Sequence, residues 1–556
     1  MPIARYAIFI VVAWIVGACT SPPAQQPPVQ TSQPTATPSP APQPTSTPSP
    51  TAAPRGVYVS PGLPADLISR VDQAIAAAPA EFVRVPETST ASVLVSFDVS
   101  GALPAIGRRV YALVAAFATI TDEVTWTDVR AAWEGSPDHG PLRMTQATYD
   151  ALRARFGEAA AGAIEVLEPN EIADALWAAP GRAAWGIVPF DELDVRLKVL
   201  YVDGLSPLRR NLDLSAYPLS VEVVLSGDLT AAAEFQSAFG APYTNRDESR
   251  MTVLALTGVT ALTRDLGLVM DREGAQYPAE QIRPWLEEAD ILHISNEVSF
   301  TPDCQIVSGT VVFCSRPEYF DLLTGIGVDV IENTGNHMND WGRQPFSYTL
   351  GLFNQAGIPY YGGGYNLVDA ARPITIENHG NLIGFVGCNP NGQDVAWATE
   401  TEPGSFPCRL GGGMDFGKVQ PQIDALRAEG ALPVFTIQYW EFDSFSGSLQ
   451  QAAEFRKAAE LGAAIVSGSQ AHHVQGFDFR NGAVIAWGPG NLFFDQTQLT
   501  AMREGMIDRY IIYHNRVLSL EILTFIRDLD NYAQPRPMPP SERANLLQTL
   551  FTASGW

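Results

Sequence analysis

The chain has 556 residues and a formal net charge of −25 at pH 7. A surface this acidic repels phosphate backbones, so composition argues against nucleic acid as a partner. It also argues against a basic surface that grips anionic lipid, so membrane attachment would have to come from an acyl chain.

The N-terminal segment is typical of an export signal. One cation, Arg5, precedes an apolar run over residues 6–16, which is shorter than the roughly 20 residues that a membrane span needs. The following residues, 16–19, resemble the bacterial lipobox, which implies cleavage before Cys19 and palmitate on that cysteine. We therefore expect a signal peptide over residues 1–18 and a lipoprotein held on the extracytoplasmic face of the cell membrane. An ordinary secretory signal with a chance cysteine and an uncleaved anchor are the alternatives.

A tether follows the lipobox. Residues 20–54 consist almost wholly of Pro, Thr, Ser, Ala and Gln and have no apolar periodicity. Such a segment cannot bury enough surface to offset its ordering entropy, and its prolines favour an extended spacer. We expect residues 19–55 to be a disordered tether between the membrane and the folded part of the chain.

The first folded region, residues 56–250, mixes strand and helix patterns. Residues 92–97 alternate like a strand, and residues 65–78 have helical apolar spacing. The Gly-Ile-Val-Pro-Phe stretch at 186–190, and a strand that ends in Asp203-Gly204, resemble phosphate-type periplasmic solute-binding proteins. The resemblance implies an α/β solute-binding-protein-like domain, although the anion cradle of that family cannot be identified residue by residue. A plain α/β domain without a transport role is the alternative.

The second folded region, residues 251–556, repeats one pattern: an apolar strand, polar residues at its carboxyl end, then a helix. Strand ends of layered α/β folds meet at one rim, where carboxylate, amide and imidazole groups suit a hard or borderline metal ion. The polar segments are Asn296-Glu297, residues 334–342, residues 439–441, residues 468–473 and residues 490–495.

Four cysteines remain after the lipidated one is set aside. They fall into two local pairs, Cys304 with Cys314 and Cys388 with Cys408. Outside the cytoplasm this arrangement predicts two disulfide-closed loops, although four cysteines allow three pairings. The sequence lacks the Cys-x-x-Cys pattern of many metal sites.

The order of these segments resembles the CapA family of poly-γ-glutamate capsule synthesis proteins. The strongest matches are residues 334–342, where Asn-His precedes Asp-aromatic-Gly, and the Gly-Asn-Leu-Phe-Phe-Asp stretch at 490–495. The resemblance implies a calcineurin-like metallophosphatase fold over residues 251–556: a layered β-sandwich flanked by helices. It also implies metal ligands at Glu297, Asn336 and His472, and an acid at His337.

Three ligand positions of that family are altered. Val259 stands where the family has the aspartate of Gly-Asp, and Tyr439 and Gln470 stand where it has histidines. Because a two-metal site needs enough ligands to hold both ions, these changes predict that the dinuclear site is lost. The remaining ligands predict one divalent ion (Mn, Zn or Fe) or none. Three neighbours are candidate replacement ligands: Asp265, Glu441 and His473.

Three functions compete at this point. The first is a surface lipoprotein that acts in biosynthesis, anchoring or export of an anionic polymer such as poly-γ-glutamate, alongside capsule-synthesis membrane proteins. The second is a metal-dependent phosphoesterase or amide hydrolase at the cell surface. The third is an anion- or solute-binding lipoprotein. A turn kept only for folding, with Asp340 capping a helix, is the alternative reading of Asn336 and His337.

Overall fold

A computed structural model describes residues 53–98, 103–136 and 140–556. The predicted signal peptide, the predicted lipid site Cys19 and almost all of the predicted tether lie outside the described residues. Residues Ala53–Trp556 form one compact unit. Within the described ranges, no helix combines the length and apolarity needed to cross a membrane.

The first region is a mixed α/β structure, as the sequence predicted. Its helices are α1 (Ala65–Ala77), α2 (Trp126–Trp133), α3 (Gln146–Phe156), α4 (Ile172–Ala178) and α5 (Leu229–Phe239). Its strands are β1 (Arg55–Val59), β2 (Phe82–Arg84), β3 (Val93–Asp98), β4 (Ala105–Ala116), β5 (Glu123–Val124), β6 (Leu142–Met144), β7 (Ile164–Val166), β8 (Gly186–Pro189), β9 (Leu197–Val199), β10 (Tyr201–Val202), β11 (Ser220–Gly227) and β12 (Tyr243–Thr244).

Strand β4 is the centre of this region. The main sheet has the order β2-β1-β3-β11-β4-β8-β6-β7, and both β9 and β12 also pair with β4. β4 is almost continuously apolar over its second half, from Val110 to Ala116, because both faces of the strand are covered. Its pairing with several strands brings segments from the whole region into one sheet.

The second region begins with β13. Its helices are α6 (Arg264–Glu273), α7 (Arg283–Glu287), α8 (Phe320–Gly325), α9 (Arg343–Ala356), α10 (Leu367–Ala370), α11 (Phe416–Ala428), α12 (Leu449–Glu460), α13 (Thr500–Arg503) and α14 (Pro540–Ala553). Its strands are β13 (Met251–Thr257), β14 (Val259–Thr260), β15 (Ile291–Asn296), β16 (Val330–Glu332), β17 (Tyr360–Tyr361), β18 (Gly363–Gly364), β19 (Ile374–Asn378), β20 (Asn381–Cys388), β21 (Gly404–Ser405), β22 (Arg409–Leu410), β23 (Gly413–Met414), β24 (Leu432–Ile437), β25 (Ile465–Gly468), β26 (Phe477–Arg480), β27 (Ala483–Ala486), β28 (Asn491–Phe493), β29 (Glu504–Tyr513), β30 (Arg516–Asp528) and β31 (Asn531–Pro537).

Two sheets face each other in the second region. One has the order β17-β16-β15-β13-β29-β30-β31, with β14 and β28 alongside, and the other has the order β19-β20-β24-β25-β27-β26. Neighbouring residues on a strand pack on opposite faces: Val434 lies between the sheets, whereas Phe435 packs against α11 and α12. Likewise Val330 faces the other sheet and Ile331 faces α8 and α9. The predicted β-sandwich flanked by helices is confirmed.

Two disulfide bonds close local loops. Cys304 is bonded to Cys314, and Cys388 is bonded to Cys408, with Cα–Cα distances of 5.7 and 5.8 Å. Both predicted pairs are therefore confirmed. All four residues are buried, so each bond fixes its loop against the body of the second region.

Candidate functional site

The polar segments predicted from the sequence meet where parallel strands end. Strands β15, β16, β24 and β25 end in this part of the fold, and each is followed directly by polar residues. Glu297 follows β15, Asn336 and His337 follow β16, and Gln470 and His472 follow β25. We call these residues, together with Gln438, Glu441 and Asp340, the strand-end cluster.

Glu297 is the buried carboxylate of the cluster. Its residue is 1% exposed, and neither carboxylate oxygen has a hydrogen-bond partner within the described chain. Burial raises the pKa of Glu297, while the nearby charges of His472 and His337 oppose that shift. The two histidines therefore lie close enough to Glu297 for their charges to stabilise its ionised form.

His472 is held from both sides of its ring. Its Nδ1 lies 2.7 Å from Asn491 Oδ1, and its Nε2 lies 3.5 Å from Glu441 Oε1. Asn491 Nδ2 donates to the His472 carbonyl, which leaves Asn491 Oδ1 to accept the Nδ1 proton. Burial works to lower the pKa of His472, but the bond to Glu441 and the charge of Glu297 outweigh burial and raise it.

His337 and Asp340 form a second pair. His337 Nδ1 lies 2.7 Å from Asp340 Oδ2, and that oxygen also accepts the backbone N–H of Phe313 at 2.8 Å. The Phe313 ring packs on the imidazole with 4.1 Å between ring centres. Burial opposes protonation, yet the bond to Asp340 and the charge of Glu297 raise the pKa of His337. The pairing leaves Nε2 as the second nitrogen available to a ligand.

Amide side chains occupy the middle of the cluster. Gln438 Nε2 donates to Asn336 Oδ1 at 3.0 Å and also to Gln470 Oε1. Gln470 Nε2 donates to Glu441 Oε1 at 2.8 Å. The amides therefore bond mainly to one another and to Glu441, and they link the end of β24 to the end of β25.

The altered family positions have different surroundings. Val259 is buried in a small apolar cluster with Phe313 and Phe494. The Tyr439 hydroxyl donates to Glu454 at 2.6 Å, and its ring packs on Phe455, so this side chain lies against α12. Gln470 alone of the three reaches the strand-end cluster.

The sequence analysis did not single out Gln438, which bonds within the cluster, whereas it named Tyr439, whose side chain lies against α12. Neighbouring residues at a strand end point to opposite sides, so a shift of one residue changes which side chain enters the pocket. The signal that could have identified Gln438 is its place directly after Ile437, the last residue of β24.

Of the proposed replacement ligands, Glu441 bonds to residues of the cluster and His473 lies apart from it. Glu441 belongs to the cluster through Gln470 and His472. His473 instead packs on Phe445, and its Nδ1 lies 3.0 Å from the Val474 carbonyl.

The donor set does not fit a two-metal centre. Within the described ranges, no group of three or more His, Cys, Asp or Glu side chains is placed to hold a metal ion. The unpartnered oxygens of Glu297 would suit a cation, but Val259 offers an apolar wall and Gln438 and Gln470 offer amides already bonded to each other. A bridging carboxylate and several anionic or imidazole ligands are needed to hold two ions about 4 Å apart. The chemistry available here is that of two histidines, three carboxylates and three amides.

The chain is similar to capsule synthesis proteins of bacteria. The model of the family described as "Bacterial capsule synthesis protein PGA_cap" matches residues 222–496. The "Capsule biosynthesis protein CapA" of Bacillus anthracis is 22% identical over 287 residues, which are 51% of this chain and 69% of that protein. The "PGA biosynthesis protein CapA" of Bacillus subtilis is 24% identical over 274 residues, which are 48% of this chain and 70% of that protein.

Further matches are shorter or weaker. A "Probable polyglutamine synthesis accessory protein" of Mycobacterium tuberculosis is 24% identical over 37% of this chain and 56% of its own length. Among solved structures, an ABC-type phosphate transport receptor from Vibrio cholerae matches 34% of this chain and 93% of its own, with 11% identity and a TM-score of 0.29. A putative phosphate ABC transporter substrate-binding protein from Clostridium perfringens matches 33% of this chain and 90% of its own, with 13% identity and a TM-score of 0.25. TM-scores this low do not establish a fold for the first region.

Proposed function

Residues 222–496 belong to the bacterial capsule synthesis protein family PGA_cap, and from this premise we propose that the protein acts in biosynthesis, anchoring or export of an anionic capsule polymer such as poly-γ-glutamate. In this proposal the chain is a lipoprotein, held on the outer face of the cell membrane through Cys19 and the residue 19–55 tether. The strand-end cluster is the place where it holds the polymer.

One observation carries the proposal. The cluster keeps two histidines beside a buried carboxylate, but glutamine amides and an apolar wall stand where a two-metal hydrolase needs ligands. Amide groups and imidazole N–H groups bind the amides and carboxylates of a polyglutamate by hydrogen bonds. These groups support a pocket that retains a polymer segment better than one that cuts it.

The charge balance of the pocket sets the orientation of the polymer. Glu297 and Glu441 repel carboxylates, so we expect the polymer's backbone amide N–H to face them. The polymer's carboxylates would then lie toward His337 Nε2, the nitrogen that the bond to Asp340 leaves available. The pocket thus has acceptors on one side and donors on the other. This arrangement favours a γ-linked glutamate chain over a neutral polyamide, because each of its residues has a carboxylate beside a backbone amide.

Binding of defined oligomers tests the proposal. We expect the purified chain to bind a fluorescent oligo-γ-glutamate, measured by anisotropy, and to bind the uncharged oligo-γ-isoglutamine, in which each α-carboxylate is an amide, at least tenfold more weakly. His337→Asn should weaken binding about tenfold, the scale of one lost charge-assisted hydrogen bond. His514→Asn is the matched control, because His514 is exposed in a turn with φ +51° that asparagine also adopts.

The polymer must also remain intact. We expect its length, measured by gel electrophoresis after long incubation, to stay unchanged with or without added Mn²⁺ or Zn²⁺. Absence of binding, or equal loss of binding in His337→Asn and His514→Asn, would contradict the proposal.

The His337–Asp340 pair favours one second candidate, hydrolysis. A histidine oriented by a carboxylate through Nδ1 can give a proton from Nε2 to a leaving group. In that case the polymer or a phosphoester would be cleaved, and His337→Asn would abolish cleavage while leaving polymer binding within about twofold. The same incubation therefore separates the two functions.

A further inference from the structure

Arg264 lies over the two rings that support the histidines of the strand-end cluster. Its guanidinium carbon is 5.2 Å from the centre of the Phe313 ring and 4.7 Å from the centre of the Phe494 ring. Phe313 packs on the imidazole of His337 with 4.1 Å between ring centres, and Phe494 packs on that of His472 at 5.3 Å. We call Arg264, Phe313 and Phe494 the aromatic clamp, because one cation contacts both of the supporting rings.

The two rings of the clamp also contact each other. They meet edge-on, with 5.7 Å between their centres and 71° between their planes, in the small apolar cluster that includes Val259. The Arg264 side chain is only 12% exposed. A guanidinium is attracted to the negative face of an aromatic ring, and this attraction grows when water is excluded. The cation therefore favours one placement of each ring, and each ring restricts the imidazole that packs on it.

A buried carboxylate holds the guanidinium in this place. One oxygen of Asp495 accepts from Arg264 Nε at 2.9 Å and also from Nη2, and the other oxygen accepts the backbone N–H of Asp265 at 2.8 Å. The Asp495 side chain is 1% exposed. Arg264 Nη1 also donates to the Thr310 carbonyl, inside the Cys304–Cys314 loop, at 3.4 Å. The cation is thus bonded to both of the chain segments that carry the rings of the clamp.

The backbone of Arg264 supports a role for its side chain. Its φ is +49°, in the left-handed region that glycine and asparagine adopt more readily than other residues. Such a conformation costs free energy and persists only where the surrounding structure requires it. Here the bonds and ring contacts of the guanidinium supply that requirement.

We propose that Arg264 is the positioning residue of the strand-end cluster: through the two rings of the clamp, it sets where the imidazoles of His337 and His472 lie. Arg264 does not itself bind the polymer, because its charge is already balanced by Asp495. The consequence for binding rests on the proposed function, in which His337 receives the polymer's carboxylates. The placement of the imidazoles can be measured without any ligand.

Magnetic resonance of the full chain, deuterated except at its His and Phe side chains, tests this placement. Nuclear Overhauser contacts should join the imidazoles of His337 and His472 to the clamp rings that pack on them. We expect Arg264→Asn to lose both contacts, since asparagine accepts the backbone conformation but has no cation to lie over the rings. The contact of His473 with Phe445, at 4.4 Å between ring centres, should stay unchanged.

A matched variant and a conservative variant complete the test. Arg70 also lies over a phenyl ring, 4.8 Å from the centre of Phe239, but in the first region, so Arg70→Asn should keep every contact. A folded Arg264→Asn that keeps either imidazole contact would overturn the proposal. If that variant fails to fold because Asp495 is left without its cation, Arg264→Lys replaces it. Lysine keeps the charge but lacks the planar group, so it should lose the same contacts, and their retention would overturn the proposal.

Polymer binding distinguishes positioning from direct contact. Because a positioning residue acts through the imidazoles, Arg264→Asn should weaken oligo-γ-glutamate binding about fivefold in the unmodified chain but less than about twofold in His337→Asn. Equal losses in the two backgrounds would show that Arg264 contacts the polymer itself and would overturn the proposal. If the unmodified chain binds no polymer, the proposed function fails, whereas the Overhauser contacts still decide whether Arg264 positions the imidazoles.

Discussion

Individual carboxylates in this protein are buried with few or no hydrogen bonds. Glu297 is one of them, and its two unpartnered oxygens lie beside the histidines of the strand-end cluster. Asp508 is another: it is fully buried on β29, on the same strand face as Met506 and Tyr510, which pack between the two sheets. A polar group kept in such a place costs stability and therefore needs a reason. Glu297 has a candidate reason in ligand binding, whereas nothing in the structure explains Asp508.

Asp508 gives a prediction about pH. Burial raises the pKa of Asp508 to about 8, against about 4 in an unfolded chain. The folded state therefore keeps a proton that the unfolded state loses, so this residue's contribution to stability is full below about pH 4 and falls until about pH 8. We expect the free energy of unfolding to fall by about 1.4 kcal/mol per pH unit in that window and to level off above it.

Substitution isolates this effect. Asp508→Asn should flatten the pH dependence and be more stable than the unmodified chain at pH 9, measured by urea unfolding. Asp530→Asn, at an exposed turn between β30 and β31, is the control and should keep the wild-type slope. An unchanged slope in Asp508→Asn would contradict the assignment.

At the scale of elements, close backbone contacts fix the strand ends that carry the cluster. Strand β14 pairs with both β15 and β28, and Val259 N–H donates to the Gly490 carbonyl at 3.0 Å. Gly258 lies against the same carbonyl, so a Cβ at this position would overlap the Gly490 oxygen. The glycine is therefore explained by packing alone.

A substitution at this contact should be severe. We expect Gly258→Ala to lower the free energy of unfolding by about 3 kcal/mol or to prevent folding, because backbone and not a flexible side chain blocks the new methyl group. Gly412→Ala is the control: a Cβ there meets open space at an ordinary φ, so stability should change by less than about 1 kcal/mol. Thermal unfolding of both variants measures the two effects. A mild loss of stability in Gly258→Ala would contradict the prediction, because it would show that the strand ends can move apart.

The two disulfide bonds also stabilise individual elements of the second region. The Cys388–Cys408 bond begins at the last residue of β20, and both of its residues are fully buried beside α11. Replacing both cysteines by alanine should lower the free energy of unfolding by about 3 kcal/mol, since the bond restricts a 20-residue loop in the unfolded chain.

The shorter loop offers a comparison. The Cys304–Cys314 bond closes a 10-residue segment and should contribute slightly less. Thermal unfolding of the two double-alanine variants measures the difference, and a larger loss at Cys304–Cys314 would contradict this order.

The whole molecule is joined by contacts between its two regions. Met251 and Val253 of β13 and Ile511 of β29 pack in the core of the first region. At the other end of the chain, Trp556 stacks on Phe479 with 5.4 Å between ring centres and contacts Trp177 of α4 edge-on at 5.1 Å. The first region thus depends on strands and on a terminus that belong to the second.

This interdependence predicts cooperative unfolding. We expect calorimetry of the folded part to show one transition, because neither region keeps a complete core when separated. Trp556→Ala should lower the stability of that single transition by about 2 kcal/mol. Two separate transitions, with only one of them shifted by Trp556→Ala, would show that the regions unfold independently.

The sequence by itself determined the layered α/β class and the order of the polar strand-end segments, and it favoured the two local disulfide pairs among the three possible pairings. These features depend on short-range causes: apolar runs mark strands covered on both faces, and cysteines 10 and 20 residues apart pair locally. Only the tertiary structure decided which side chains meet. It placed Gln438 in the cluster and Tyr439 against α12, and it formed a cavity between β30 and the first region. Those outcomes depend on strand register and on packing between residues from 15 to more than 100 positions apart, which a local pattern does not encode.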